Sequence, residues 1–146
     1  MTSGKTTLET LIDTTYDSVT GYRKAAELAK SPQLQQVLMS QADKRQQTLD
    51  VMNQELVRLG GELVTKGTAA GGLHRLWLNL TAMFENGDEA AVERVDEGEE
   101  YLAGKFDAAL ETDSLDPQTR AVIERGRAEV REGERLADQL ERQYDN

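Results

Sequence analysis

Cysteine is absent from this 146-residue chain. Its absence removes disulfides, thiolate metal sites and cysteine nucleophiles, and is compatible with a reducing compartment. Histidine occurs once, at His74, and no serine or second imidazole is placed to complete a nucleophilic triad with it. Only Pro32 and Pro117 interrupt the chain as prolines, so helices can run long between them. Aromatic residues make up 5%, which suits amphipathic helices better than a sheet. No run approaches the roughly 18 apolar residues of a membrane span, and the first residues, Met1 to Thr7, lack the apolar stretch of a signal peptide. The expectation is a bacterial-type cytoplasmic protein. What is abundant is charge, at 30% of residues with a formal net of -10. That balance repels nucleic-acid phosphates and anionic membrane surfaces alike.

The length suits one domain over 1–146, and the pattern within it is helical throughout. Gly4-Lys5-Thr6 has the look of a phosphate-loop tail, but no strand precedes it, so it reads as a chain end leading into a cap. Thr6 and Glu9 have capping-box spacing and predict a first helix over about 7–29. Its seam is Leu8, Ile12, Thr15, Val19, Tyr22, Ala26 and Ala29, at the alternating spacing of a bundle helix. Ser31-Pro32 caps a second helix over about 32–59, with the seam Leu34, Leu38, Gln41, Arg45, Leu49, Met52, Leu56 and Leu59. Gly60-Gly61 ends it. A short helix is predicted over about 73–85, followed by a stop and cap at Asn86-Gly87-Asp88. A third long helix covers about 89–110, with Val92, Val95, Glu99, Leu102, Phe106 and Ala109 on its seam. Asp116-Pro117 repeats the cap-and-proline device and opens a fourth over about 117–144. Its seam is Ile123, Gly126, Val130, Gly133, Ala137, Leu140 and Tyr144.

Four helices of similar length, each roughly 33–42 Å, predict an all-α four-helix bundle. The connection between the second and third, from Gly60 to Gly87, is long enough to traverse the bundle. Two antiparallel hairpins joined by one long crossover carrying a short helix is ferritin-like connectivity. It makes the second and third helices parallel, and counting residues then places Tyr22, Gln41, Arg45 and Glu99 on one level. Glu129 and Val130 reach that level on the fourth helix, between Gly126 and Gly133. The layer reads as a buried Arg45–Glu99 ion pair bonded to Tyr22 and Gln41, which can fix helix register. Gly126 and Gly133 either admit a bulky side chain or line a small-ligand pocket. A di-iron centre needs two glutamates and two Glu-x-x-His pairs. With one histidine, and an arginine at the level of Glu99, no metal and no other cofactor is expected. In a second cluster, Gly71, His74, Arg75 and Trp77 mark the crossover, where His74 reads as a hydrogen-bonding group.

Several stretches carry a resemblance. Gly21-Tyr22-Arg23-Lys24-Ala25-Ala26, Leu59-Gly60-Gly61, Gly71-Gly72-Leu73-His74-Arg75-Leu76-Trp77, Gly98-Glu99 and Ala109-Leu110 stand in this order. The chain resembles a bacterial family of ferritin-like four-helix bundles catalogued only as a domain of unknown function. The resemblance implies that fold and no established activity. It also implies a histidine in the last helix near the position of Glu134, which this chain lacks, so a metal role carried by analogy is weakened.

Two functions are carried forward, with enzymatic activity disfavoured. The first is a non-enzymatic structural or interaction protein with a link to stress. Its partner is another protein or a second copy, and neither nucleic acid nor membrane. The alternative is a ferritin-like metal- or small-ligand-binding protein using the Glu99 layer.

Overall fold

The computed structural model describes residues 2–65, 77, 82, 85, 87–113 and 115–144. Among them the chain forms four helices: α1 (Thr2–Leu28), α2 (Pro32–Arg58), α3 (Asp88–Leu110) and α4 (Pro117–Tyr144). All the seam positions named above are buried except Leu59 and Tyr144, which are half-buried. The one seam threonine, Thr15, gives its hydroxyl to the Leu11 carbonyl one turn back, at 2.7 Å, so a polar atom enters the core already satisfied. Gly71, His74 and Arg75, and the helix expected over 73–85 apart from Trp77, Ala82 and Glu85, lie outside the described residues.

Two boundaries differ from the sequence expectation. The first helix starts at Thr2 rather than Thr7. Thr6 is one turn inside it, and its carbonyl accepts from Thr10 Oγ1 at 3.1 Å. The extra turn is held by packing: Gly4 is buried, and Leu115 joins Leu8 and Leu11 in the same apolar cluster. The third helix starts at Asp88, with Gly87 in the cap position at φ 111° and no side-chain cap. Asp88 is spent elsewhere, accepting from the backbone N–H groups of Lys30 and Ser31, both at 3.0 Å. The other ends follow local rules. Ser31 Oγ accepts from Leu34 N at 3.3 Å, and Asp116 Oδ1 from Gln118 N at 2.9 Å. Gly60, at φ 90°, closes α2 through Gly60 N to Val57 O and Gly61 N to Leu56 O, both 2.9 Å. That is the Schellman pattern, which needs a left-handed residue at Gly60.

α1 packs on α2 and α3 packs on α4, with α1 beside α3 and α2 beside α4. Asp88 meets the α1–α2 turn, so α3 begins where α2 begins and the two run parallel across the bundle diagonal. At the opposite end, buried Glu55 binds α2 to the start of α4. It accepts from Arg58 Nε and Nη2 at 2.8 and 2.7 Å, and from Thr119 Oγ1 at 2.6 Å. The Arg58 bonds come first among the causes that lower its pKa. After α2 the chain turns back on itself. Asn53 clamps Val64 by two hydrogen bonds, donating from Nδ2 to the Val64 carbonyl at 2.9 Å and accepting at Oδ1 from Val64 N at 3.0 Å, and the Tyr16 hydroxyl donates to the Thr65 carbonyl.

Two apolar clusters fill the bundle. Tyr22, Ala25, Leu34, Leu38, Val92 and Val95 lie toward the α1–α2 turn. Leu8, Ile12, Leu49, Leu56, Phe106 and Ile123 lie toward the other end. Between the two stands Arg45.

Candidate functional site: a guanidinium at the centre of four helices

Arg45 is 0% exposed and Glu99 1%. A long cationic side chain at a seam position of α2 can only point at the core, and there it finds an acceptor from every other helix. Nη1 donates to Ser18 Oγ on α1 at 2.6 Å and to Glu99 Oε1 on α3 at 2.8 Å. Nη2 donates to Glu99 Oε2 at 2.7 Å and to Glu129 Oε2 on α4 at 3.1 Å. Nε donates to Glu129 Oε1 at 2.7 Å. A guanidinium has five N–H donors, and each has a partner. Burial opposes the charge on Arg45, but the charges and hydrogen bonds of Glu99 and Glu129 outweigh it and raise its pKa.

Glu129 is the hub on α4. Besides Arg45 it accepts from Gln41 Nε2 and from Thr48 Oγ1, both at 2.8 Å. Its side chain keeps 16% exposure. Tyr22 offers its ring to the guanidinium at 5.5 Å, within cation–π range. Its hydroxyl pKa is raised first by burial and then by the Glu99 charge. Gln41 therefore meets the cluster through Glu129 rather than through the Arg45–Glu99 pair. Sequence reasoning left out Ser18, Thr48 and Glu129 as members. All three lie beside their helix seams, and only Glu129 had a signal, its level on α4.

The two glycines of α4 have different neighbours. At Gly133 a side chain would strike Glu99 Oε2 and come within 2.8 Å of Arg45 Nη2, so the space there is already filled by the ion pair. Gly126 faces Phe106, whose Cε1 lies 2.7 Å from where a Cβ would stand. Gly126 also lines a hollow of about 230 Å³ between α2 and α4, with Lys44, Thr48, Arg125 and Glu129. Among the described residues no group of three or more histidine, cysteine or acidic side chains is arranged to hold a metal ion.

Trp77 closes the outside of the same layer. Its ring lies 6.5 Å from that of Tyr22, at 52°, and fits the notch left by Gly21, where a Cβ would stand 2.5 Å from Trp77 Cδ2. Its Nε1 is buried without a partner among the described residues. Gly21→Ala is expected to displace this ring. Because the chain has one tryptophan, a red-shifted emission with unchanged helical circular dichroism would report it. An unchanged spectrum would contradict the notch.

A carboxyl group titrates unusually on the α3–α4 face. Asp96 is pushed up to about 7, first by burial, then by the hydrogen bond its protonated carboxyl donates to Glu141 and by the charges of Glu141, Asp138 and Glu97. Its folded pKa lies above its unfolded value. Its contribution to stability is therefore complete below the ordinary carboxylate range and is lost as pH rises through about 7. The group is half-exposed, so the expected loss between about pH 5 and pH 8 is only on the order of 1 kcal/mol after screening. Urea midpoints across that range should fall for the native chain and stay level for Asp96→Asn. A midpoint rising with pH would reverse the assignment.

The described residues define an all-α protein of four long helices whose core is tied together by the buried Arg45. No helix among the described residues is long and apolar enough to cross a membrane. A family model described as "Domain of unknown function (DUF2383)" matches residues 5–112, and the chain belongs to that family. The match takes in Ser18, Tyr22, Gln41, Arg45, Thr48 and Glu99, while Gly126, Glu129 and Gly133 lie beyond it. Comparison with curated proteins and with solved structures finds no match.

Proposed function

We propose that this chain is a non-enzymatic, single-domain scaffold of ferritin-like connectivity, acting in the cytoplasm as a structural or interaction protein. One observation carries the reading: all five donors of Arg45 are committed to side chains of the protein. A centre with its guanidinium so engaged has architecture as its work. The cation position between Glu99 and Glu129 is held by Arg45 itself, which opposes a metal there by charge. Four contacts support the long crossover. Val64 meets Asn53, Thr65 meets Tyr16, Trp77 meets Gly21, and Asp88 meets Lys30 and Ser31. From Thr65 to Asp88 they climb steadily along α1. A bacterial source and a stress link rest on the family resemblance alone.

The hollow beside Gly126 favours a second reading, a small ligand seated over Glu129 and Thr48. Elemental analysis and native mass spectrometry of protein purified without chelators separate the two. The scaffold reading expects less than about a tenth of a metal per chain and no retained small molecule. Stoichiometric metal, or a retained ligand lost on Thr48→Val, would replace it with the second.

A further inference from the structure

Charge is spread along most of this chain, and its longest uncharged run lies at the start of α2. From Ser31 to Ala42, twelve residues in SPQLQQVLMSQA, no side chain is charged, with Lys30 before it and Asp43 after it. These residues form the first three turns of α2. Gln33, Gln35, Gln36, Met39 and Ser40 are exposed there, and Met39 is 41% exposed. Beside them, against the last turns of α4, lies a groove of about 390 Å³. Val37, Leu136 and Leu140 give it apolar walls, and Gln33, Gln36, Gln139 and Gln143 are its amide groups. Among the described residues no charged side chain lines it. The neighbouring hollow on the α1 side, which Met39 shares, has Glu27 as its one charge among the described residues.

We propose that this α2–α4 groove is a self-association surface that seats a second copy of the chain about a two-fold axis. Two copies with a formal charge of -10 each repel wherever their acidic faces meet. They can approach closely where the charge is missing. An isologous contact also sets a surface against itself. A ring of carboxylates or ammonium groups fails that requirement, because like meets like. Glutamine meets it, since each amide both donates and accepts. Apolar walls and amide groups together give the buried centre and polar rim of an interface. This assignment deepens the interaction reading above and rests on it, but the two fail separately: a monomer removes the surface and leaves the scaffold reading standing.

The test is sedimentation equilibrium of the full chain. The native protein is expected to form dimers at micromolar to about 100 μM concentrations. Added salt should tighten them, because it screens the repulsion between acidic copies. Replacing Gln36, Gln139 and Gln143 together by glutamate should weaken dimerisation at least about tenfold, with helical circular dichroism unchanged. The same three positions as lysine should do likewise. An equimolar mixture of the two variants should form heterodimers, as a groove facing its own copy requires. A native chain that stays monomeric throughout overturns the proposal. So does a glutamate variant that dimerises as well as the native protein, or a mixture of folded variants that fails to pair.

Discussion

Arg45→Ala is expected to lower the free energy of unfolding by roughly 3–5 kcal/mol. The substitution removes a cation from between two carboxyl groups, one of them fully enclosed. It also leaves Ser18 Oγ without its donor and opens a void against the Tyr22 ring. Arg45→Lys should recover only part of the loss, because an ammonium has three donors and no planar fork for Glu99. Combining Arg45→Leu, Glu99→Leu and Glu129→Gln should recover most of it, since replacing a whole buried ionic set is far less costly than breaking one. Urea unfolding of the three variants measures this. A loss under about 1 kcal/mol for Arg45→Ala would mean the pair is worth no more than a surface bridge.

Gly133→Ala carries the second large effect, a loss of roughly 2–3 kcal/mol. In an open helix the same change gains about 0.5–1 kcal/mol, because alanine gives up less backbone freedom on folding. At Gly133 the added methyl has no room: Glu99 Oε2 and Arg45 Nη2 occupy the space. The carboxylate must swing off the guanidinium, and the bonds holding α3 to α2 lengthen or break. Gly104, on an exposed part of α3, has nothing within 4 Å of a new Cβ and serves as the control. Gly104→Ala should stabilise while Gly133→Ala destabilises. Equal effects at the two sites would remove the argument from close approach.

The helices were readable in the sequence because each burial seam keeps the spacing of a bundle helix over about five to seven turns. Arg45 and Glu99 stood out because each holds a position where that spacing calls for an apolar residue. Glu129 did not, since it sits one residue off the seam among other charges on α4. Ser18 and Thr48 were hidden for a related reason: a hydroxyl beside a seam says nothing about what reaches it from another helix. An arginine side chain is long enough to cross the core, and its reach, rather than any helix period, selects those partners. The start of α1 was misplaced because a local capping pattern at Thr6 competed with packing around Leu115, and packing won. Asp88 resembled a cap for its own helix, whereas its carboxylate holds the turn between α1 and α2.

That one guanidinium ties all four helices together can be observed at the group itself. In nitrogen-edited proton spectra of the full chain, with Arg45 assigned by its substitution, the arginine should give four separate Nη–H signals and a slowly exchanging Nε–H. Five engaged donors halt rotation of the group and shut out water. A single averaged Nη signal exchanging rapidly with solvent would show a guanidinium free to turn, and the centre described here would not exist.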